Sequence, residues 1–168
     1  MIKKLFIFAT LIGALFFTSC DKEEVFYTEV VELAGEWIVS VDVVDADGSI
    51  IEEDYWGPFD MLTYNTVDNN NEMWLDDLEN FWSTKVKVVV DVKNSTFTCN
   101  NYTDEYLKGT EWEYQATITD GKVNYDGTVS SMGHIVDEIV FTIEFSDDPG
   151  TYYRFHGYRR TGFDQGAD

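Results

Sequence analysis

Cysteine is scarce: the 168 residues hold two, Cys20 and Cys99. Two cysteines exclude a disulfide-stapled scaffold and a multi-thiolate zinc centre. Proline is as rare, with Pro58 and Pro149 alone, which excludes a Pro-rich linker or a disordered low-complexity chain. Basic residues are few. Eleven Lys and Arg face 32 Asp and Glu, a net charge of −21. That field repels phosphate backbones and excludes nucleic acid as a partner. It also opposes docking on anionic headgroups by charge. No apolar run reaches the roughly 20 residues that a spanning helix needs.

What is present begins at the N-terminus. Lys3 and Lys4 precede an apolar run of thirteen, "LFIFATLIGALFF", and "FTSC" follows. A short basic stretch, a short apolar run and small residues make a secretory leader. Small residues just before Cys20 resemble a bacterial lipobox, although Phe17 stands where an aliphatic residue is usual. The resemblance implies cleavage before Cys20 and lipidation of that cysteine. Loss of Lys3 and Lys4 with the leader takes the charge from −21 to −23. "CDKEEVFYTE" then resembles the tag that carries some lipoproteins to the outer face of the outer membrane. With Cys20 acylated, Cys99 has no disulfide partner, and its strand-like setting "STFTCN" suits a small core residue. The chain divides into a leader, 1–19, a lipidated tether, 20–32, one domain, 33–163, and a short tail, 164–168.

Within the domain, alternation of apolar and polar residues dominates. In "GEWIVSVDVV", Trp37, Val39, Val41 and Val43 share one face. Leu62 and Tyr64 share a face in "DMLTYNT". Trp82, Val86, Val88 and Val90 follow, then Trp112, Tyr114, Ala116 and Ile118, then Ile139, Phe141, Ile143 and Phe145. "DADG", "TDGK" and "DDPG" read as turns, "TDGK" as a hairpin. One short helix is expected near "DEYLK", 104–108. Eight or nine strands of this kind predict an all-β, antiparallel up-and-down barrel, lipocalin-like, of about eight strands. A jelly roll or β-sandwich is the alternative.

"GEW" opening the first long strand and an Arg-rich last strand resemble the calycin pattern. That resemblance implies Trp37 across the barrel floor with a late Arg packed over it. Arg159 shares parity with Tyr153 and Phe155 and is preferred to Arg154. The lipobox, "GEW", "YNT…D…MWLDD…FW…KVKV" and "GYRRTGF" occur in order. Together they resemble the bacterial lipoproteins called lipid-binding putative hydrolases. The resemblance implies a calycin-like fold and an apolar ligand, and it assigns no catalytic residue.

Three readings compete for the acidic stretch 63–82. Asp68, Asn70, Glu72, Asp76 and Glu79 match oxygen positions of an EF-hand loop, but Met73 stands where that loop needs glycine. Adjacent Asp76 and Asp77 are poorly placed as a facing acid–base pair. Met73, Trp74 and Leu75 read best as a rim or lid over the barrel mouth. Elsewhere, "SSMGHIVD" holds Ser, His and Asp too close in sequence for a triad, no Gly-x-Ser-x-Gly elbow occurs, and His134 and His156 are a thin basis for zinc. No metal or cofactor is expected. Tyr64, Trp82, Trp112, Tyr114 and Phe141 are the expected inward ligand wall, with Trp74 at the entrance. These readings give an outer-membrane, lipid-anchored, surface-exposed protein that binds a lipid or other apolar small molecule inside a barrel. A hydrolase acting on an ester or lipid, and a non-enzymatic subunit of an outer-membrane uptake or adhesion complex, remain open.

Overall fold

The computed structural model describes residues 27–162. Cys20, the leader and the tail from 164 onward lie outside the described residues. Eight strands follow one another: β1 (Gly35–Val44), β2 (Ile50–Asn65), β3 (Glu72–Asp76), β4 (Lys85–Asp91), β5 (Thr96–Thr103), β6 (Gln115–Val129), β7 (Ile135–Phe145) and β8 (Tyr152–Arg159). Each pairs antiparallel with the next, and β1 pairs with β8 from Trp37↔Arg159 to Val44↔Tyr152, so the sheet is a closed barrel. Closure leaves no free sheet edge along the β1–β8 seam.

Alternation sets the inside. Trp37, Val39 and Val41 of β1, Val86, Val88 and Val90 of β4, and Ile139, Phe141, Ile143 and Phe145 of β7 are buried. The two barrel ends differ. Residues 27–34 turn beneath the end where β1 starts and β8 stops, and Val30 and Leu33 are fully buried there. Part of the expected tether is therefore floor: a spacing of three on one turn brings both side chains under the barrel. The β2–β3, β4–β5 and β6–β7 connections share this closed end. The β1–β2, β3–β4, β5–β6 and β7–β8 connections lie at the other, open end.

Four local expectations are corrected. "TDGK" is no hairpin, because β6 runs through it with a bulge. Ile118 pairs with Ile143 and Lys122 with Val140, so β6 carries one extra residue. The Asp120 carboxylate fills the gap, accepting from the Thr142 N–H (2.7 Å) and hydroxyl (3.1 Å). No helix forms at 104–108: Asp104 accepts from the N–H groups of Tyr106 and Leu107 like a cap, but Gly109, at φ 77°, ends the turn at once. β2 begins ten residues before the expected segment. Within it Met61 and Thr63 face inward, while Leu62 and Tyr64 face out. The inward Thr63 hydroxyl accepts from Trp37 Nε1 (2.8 Å) and donates to the Leu33 carbonyl (2.7 Å), so a polar residue occupies the core register.

Candidate functional site

Two irregular segments build the open end. The first is the bulged half of β2. Between Val39↔Phe59 and Val43↔Glu52, β2 uses seven residue steps where β1 uses four. Gly57 takes φ 108°, and a Cβ there would lie 2.9 Å from the Val39 carbonyl and 3.0 Å from Ser40 Cα, so only glycine lets β2 lie this close. Asp54 takes φ 50° and donates its N–H to Asp42 Oδ1 (2.9 Å). Asp42 is in turn held by Arg154 (2.7 Å) and by the His156 ring (3.2 Å). Burial works to raise the pKa of Asp42. The Asp54 N–H, Arg154 and His156 outweigh it and hold the carboxyl below its usual range. This network on the outer face fixes the bulge that carries Tyr55 and Trp56 to the rim.

The second segment is the β3–β4 loop. Leu78, Glu79, Trp82 and Ser83 all take positive φ, which costs on the order of 1–3 kcal/mol each unless the surroundings impose it. Asp77 imposes it. Fully buried, its carboxylate accepts from the N–H groups of Glu79 (2.9 Å), Phe81 (2.8 Å) and Thr84 (2.8 Å). Burial pushes this carboxyl up to about 7, against the pull of those three donors, with Asp76 adding to the rise. The loop thereby sets Phe81 into the core and Trp82 beside it. Trp82 stacks on Phe145 (centroids 5.0 Å, 2° between planes), and its indole N–H reaches Asp147 (3.2 Å).

Between the segments lies an aromatic cleft. One lobe of about 380 Å³ is lined by Asp54, Tyr55, Trp56, Gly57, Pro58, Phe59 and Asn80. A second of about 290 Å³ shares Tyr55, Trp56 and Asn80 and adds Phe81 and Trp82. Both open to solvent. Tyr55 and Trp56 are 42% and 52% exposed, although Tyr55 contacts Tyr153 (6.1 Å) and both meet Phe81 (6.4 Å). Beneath, rings fill the barrel axis. Phe97 meets Phe141, Phe141 stacks on Phe155 (4.6 Å), and Phe155 meets Phe81. A guest therefore meets an aromatic slot at the mouth above a packed interior, with the Asn80 amide as a nearby polar group.

The expected ligand wall divides accordingly. Trp82 lines the cleft. Phe141 is core. Tyr114 is buried, its hydroxyl paired with Thr84 (3.1 Å) and donating to the Trp82 carbonyl (3.1 Å), so it braces the loop. Tyr64, Trp74 and Trp112 do not point inward. Tyr64 lies outside and donates to Asp76 (2.8 Å), which the Lys85 ammonium also pairs (3.1 Å). Trp74 is in β3, not on a lid, and the ammonium groups of Lys85 and Lys87 lie over its ring at 5.9 and 5.4 Å. Trp112 is 70% exposed in the β5–β6 connection, because β6 starts only at Gln115. The stretch 63–82 spans both ends: 66–71 turns at the closed end, 72–76 is strand, and the loop after Asp76 is the rim. Asp68 and Asn70 are thus separated from Glu79 by the length of β3 and cannot share one calcium ion. Sequence reading missed Tyr55, Trp56 and Asn80. "YWGPF" carried the signal, two aromatics against a Gly-Pro pair.

At the closed end the Arg159 guanidinium lies 4.4 Å from the Trp37 ring centroid. It also donates to Asp137 (2.8 Å) and to the carbonyls of Ala34 (2.6 Å) and Glu32 (3.1 Å).

Two groups invite a reactive reading. Ligand atoms of Asp42, Asp54 and His156 lie within 4.8 Å of one another. Arg154, however, supplies the positive charge that Asp42 needs, and His156 bonds Asp42 rather than a hydroxyl or thiol. Cys99 is buried, and burial pushes its thiol up to about 11, so it is not a ready nucleophile.

A family model described as lipid-binding putative hydrolase matches residues 22–164. No curated protein matches the chain. Among solved structures, a protein of unknown function from Bacteroides ovatus is similar at 15% identity with a TM-score of 0.45. The similarity covers 80% of this chain and 44% of that one.

Proposed function

The chain belongs to the lipid-binding putative hydrolase family, and from that premise we propose that it is a lipid-anchored protein of the cell envelope that binds an apolar or amphipathic small molecule at the open-end cleft. The observation that carries the reading is the continuous slot of Tyr55, Trp56, Phe81 and Trp82 over a barrel interior already occupied by rings. An acyl chain or flat hydrophobe lies against the aromatic faces, while its polar end meets Asn80 and solvent at the rim. The strong negative charge disfavours an anionic headgroup. The lipobox-like "FTSC" and the acidic tag after it support an anchor at Cys20 and display at the outer membrane.

Titration of the purified protein with a fluorescent fatty acyl probe tests this. Saturable binding with quenching of tryptophan emission is expected. Absence of saturable binding across neutral, zwitterionic and sterol-like probes would remove the ligand reading and leave a non-enzymatic interaction subunit.

A further inference from the structure

The β6–β7 hairpin carries a surface that the cleft does not explain. β6 pairs with β5 only as far as Lys122, and β7 pairs with β8 only as far as Glu138. The Val123 N–H still reaches the Ser95 carbonyl (2.9 Å), and beyond it the two strands pair with each other out to Val129↔Ile135. From Glu138 to Ile135 alone it projects about 10 Å past the last β8 partner. A bulge at 125–127 aims it, with Asp126 at φ 50° donating its N–H to Asp137. The tip is built, not frayed: Ser130 N–H donates to the His134 carbonyl (2.8 Å) and Gly133 N–H to the Ser130 carbonyl (2.9 Å). That turn presents Val129, Met132 and Ile135 at 58%, 59% and 70% exposure. In this acidic chain, residues 127–136 contain no Asp, Glu, Lys or Arg.

The ribbon stands at the closed end, where the N-terminal segment enters. Tyr125 at its base donates to Glu32 (3.4 Å), and Arg159 ties Asp137 of the ribbon to the Glu32 carbonyl. Seven residue steps separate Cys20 from Tyr27, which reach at most about 25 Å when extended. An acyl anchor at Cys20 therefore holds this end, and not the aromatic mouth, against the bilayer.

We infer that the β6–β7 tip is a membrane-docking finger: Val129, Met132 and Ile135 enter the interfacial region of a bilayer whose headgroups carry no net charge. The inference rests on the lipid-anchored reading. It fixes orientation, with the finger and tether facing the membrane and the cleft of Tyr55 and Trp56 facing away. Headgroups of this kind suit a ribbon without formal charge on a strongly acidic body, whereas anionic ones would repel the surrounding Asp126 and Glu32.

The test uses the acylated full-length chain in phosphatidylcholine vesicles containing spin-labelled quencher lipids. An environment-sensitive dye is placed at Met132→Cys, and in a second preparation at Trp112→Cys near the open end. Emission at position 132 should shift to the blue and be quenched several-fold more than at 112. Adding Ile135→Asp and Val129→Asp to the Met132→Cys chain should leave it floating with the vesicles but bring its quenching down to the level at 112. Equal quenching at the two positions in a chain that floats would overturn the finger while sparing the anchor. A chain that does not float would overturn the anchor, and the inference with it. A blue shift without vesicles that grows with protein concentration would show a second copy covering the tip, and would overturn the lipid partner.

Discussion

Arg159 lies 4.4 Å over the Trp37 ring and at the same time holds the carbonyls of Ala34 and Glu32, so one guanidinium seals the barrel floor from above and below. The indole is fully buried, with its N–H on Thr63. Trp37→Ala should cost about 3–5 kcal/mol, the range for truncating a buried aromatic. Arg159→Ala should cost about 2–3 kcal/mol, since it loses the stacked charge and charged hydrogen bonds but leaves the core filled. Arg159→Lys should recover only part of that, because an ammonium lacks the planar fork. Urea unfolding of the three variants checks the order.

Asp42 should make stability depend on acid. Its folded-state pKa lies below the ordinary 3.8, so the folded carboxylate binds its proton more weakly than the unfolded one does. The stabilisation is complete above that value and is lost as pH falls through the folded pKa. The stability gap between wild type and Asp42→Asn should therefore be widest at neutral pH and close below about pH 3.8. A gap that stays constant across that window would mean that Arg154 and Asp54 do not sense the charge.

Asp77 should act in the opposite sense. Its carboxyl is raised to about 7 from an ordinary 3.8, first by burial. The folded chain then keeps a proton that the unfolded chain releases. Its contribution is complete below about pH 3.8 and is lost as pH rises through about 7. Asp77→Asn does not titrate, so its stability deficit relative to wild type should be larger at pH 5 than at pH 8.5. Denaturant melts at the two pH values, with near-ultraviolet dichroism reporting on Trp82, provide the comparison. A deficit that grows with pH would show that the three N–H donors dominate over burial.

The barrel was legible in sequence because one face of nearly every strand is apolar, and that signal survives without knowledge of partners. β1, β4 and β7 show it most plainly. The open-end site was not, for two physical reasons. Tyr55 and Trp56 lie in a doubly bulged stretch of β2, where period-two alternation breaks and Asp42, held by the distant Arg154 and His156, supplies the order. Tyr64 and Trp74 carry strong apolar character, yet their hydroxyl and ring faces find Asp76, Lys85 and Lys87 outside, an arrangement that pairing register alone decides. "TDGK" failed similarly: the same dipeptide that makes a hairpin also fits a bulge when Phe97 packs against Gly121, where a side chain would collide with that ring.

Ligand affinity should track the mouth and not the interior. Trp56 is half exposed and, among the described residues, meets only the Phe81 ring, so Trp56→Ala should remove a cleft wall with a stability cost below about 1 kcal/mol. Phe141 is fully buried between Phe97 and Phe155, and Phe141→Leu should lower stability by about 1–2 kcal/mol through imperfect packing. A ligand held against the cleft then loses affinity roughly tenfold with Trp56→Ala, about 1.4 kcal/mol of aromatic contact. It should be nearly unaffected by Phe141→Leu under conditions where both variants stay folded. Gly57→Ala should resemble Trp56→Ala in binding, because its Cβ would push β2 off Val39 and Ser40 and carry Tyr55 and Trp56 with it. Probe titrations of the three variants at one temperature, each with its unfolding curve, separate the effects. Affinity that falls with Phe141→Leu and not with Trp56→Ala would place the guest inside the barrel, in a state whose interior is more open than this ring-filled one.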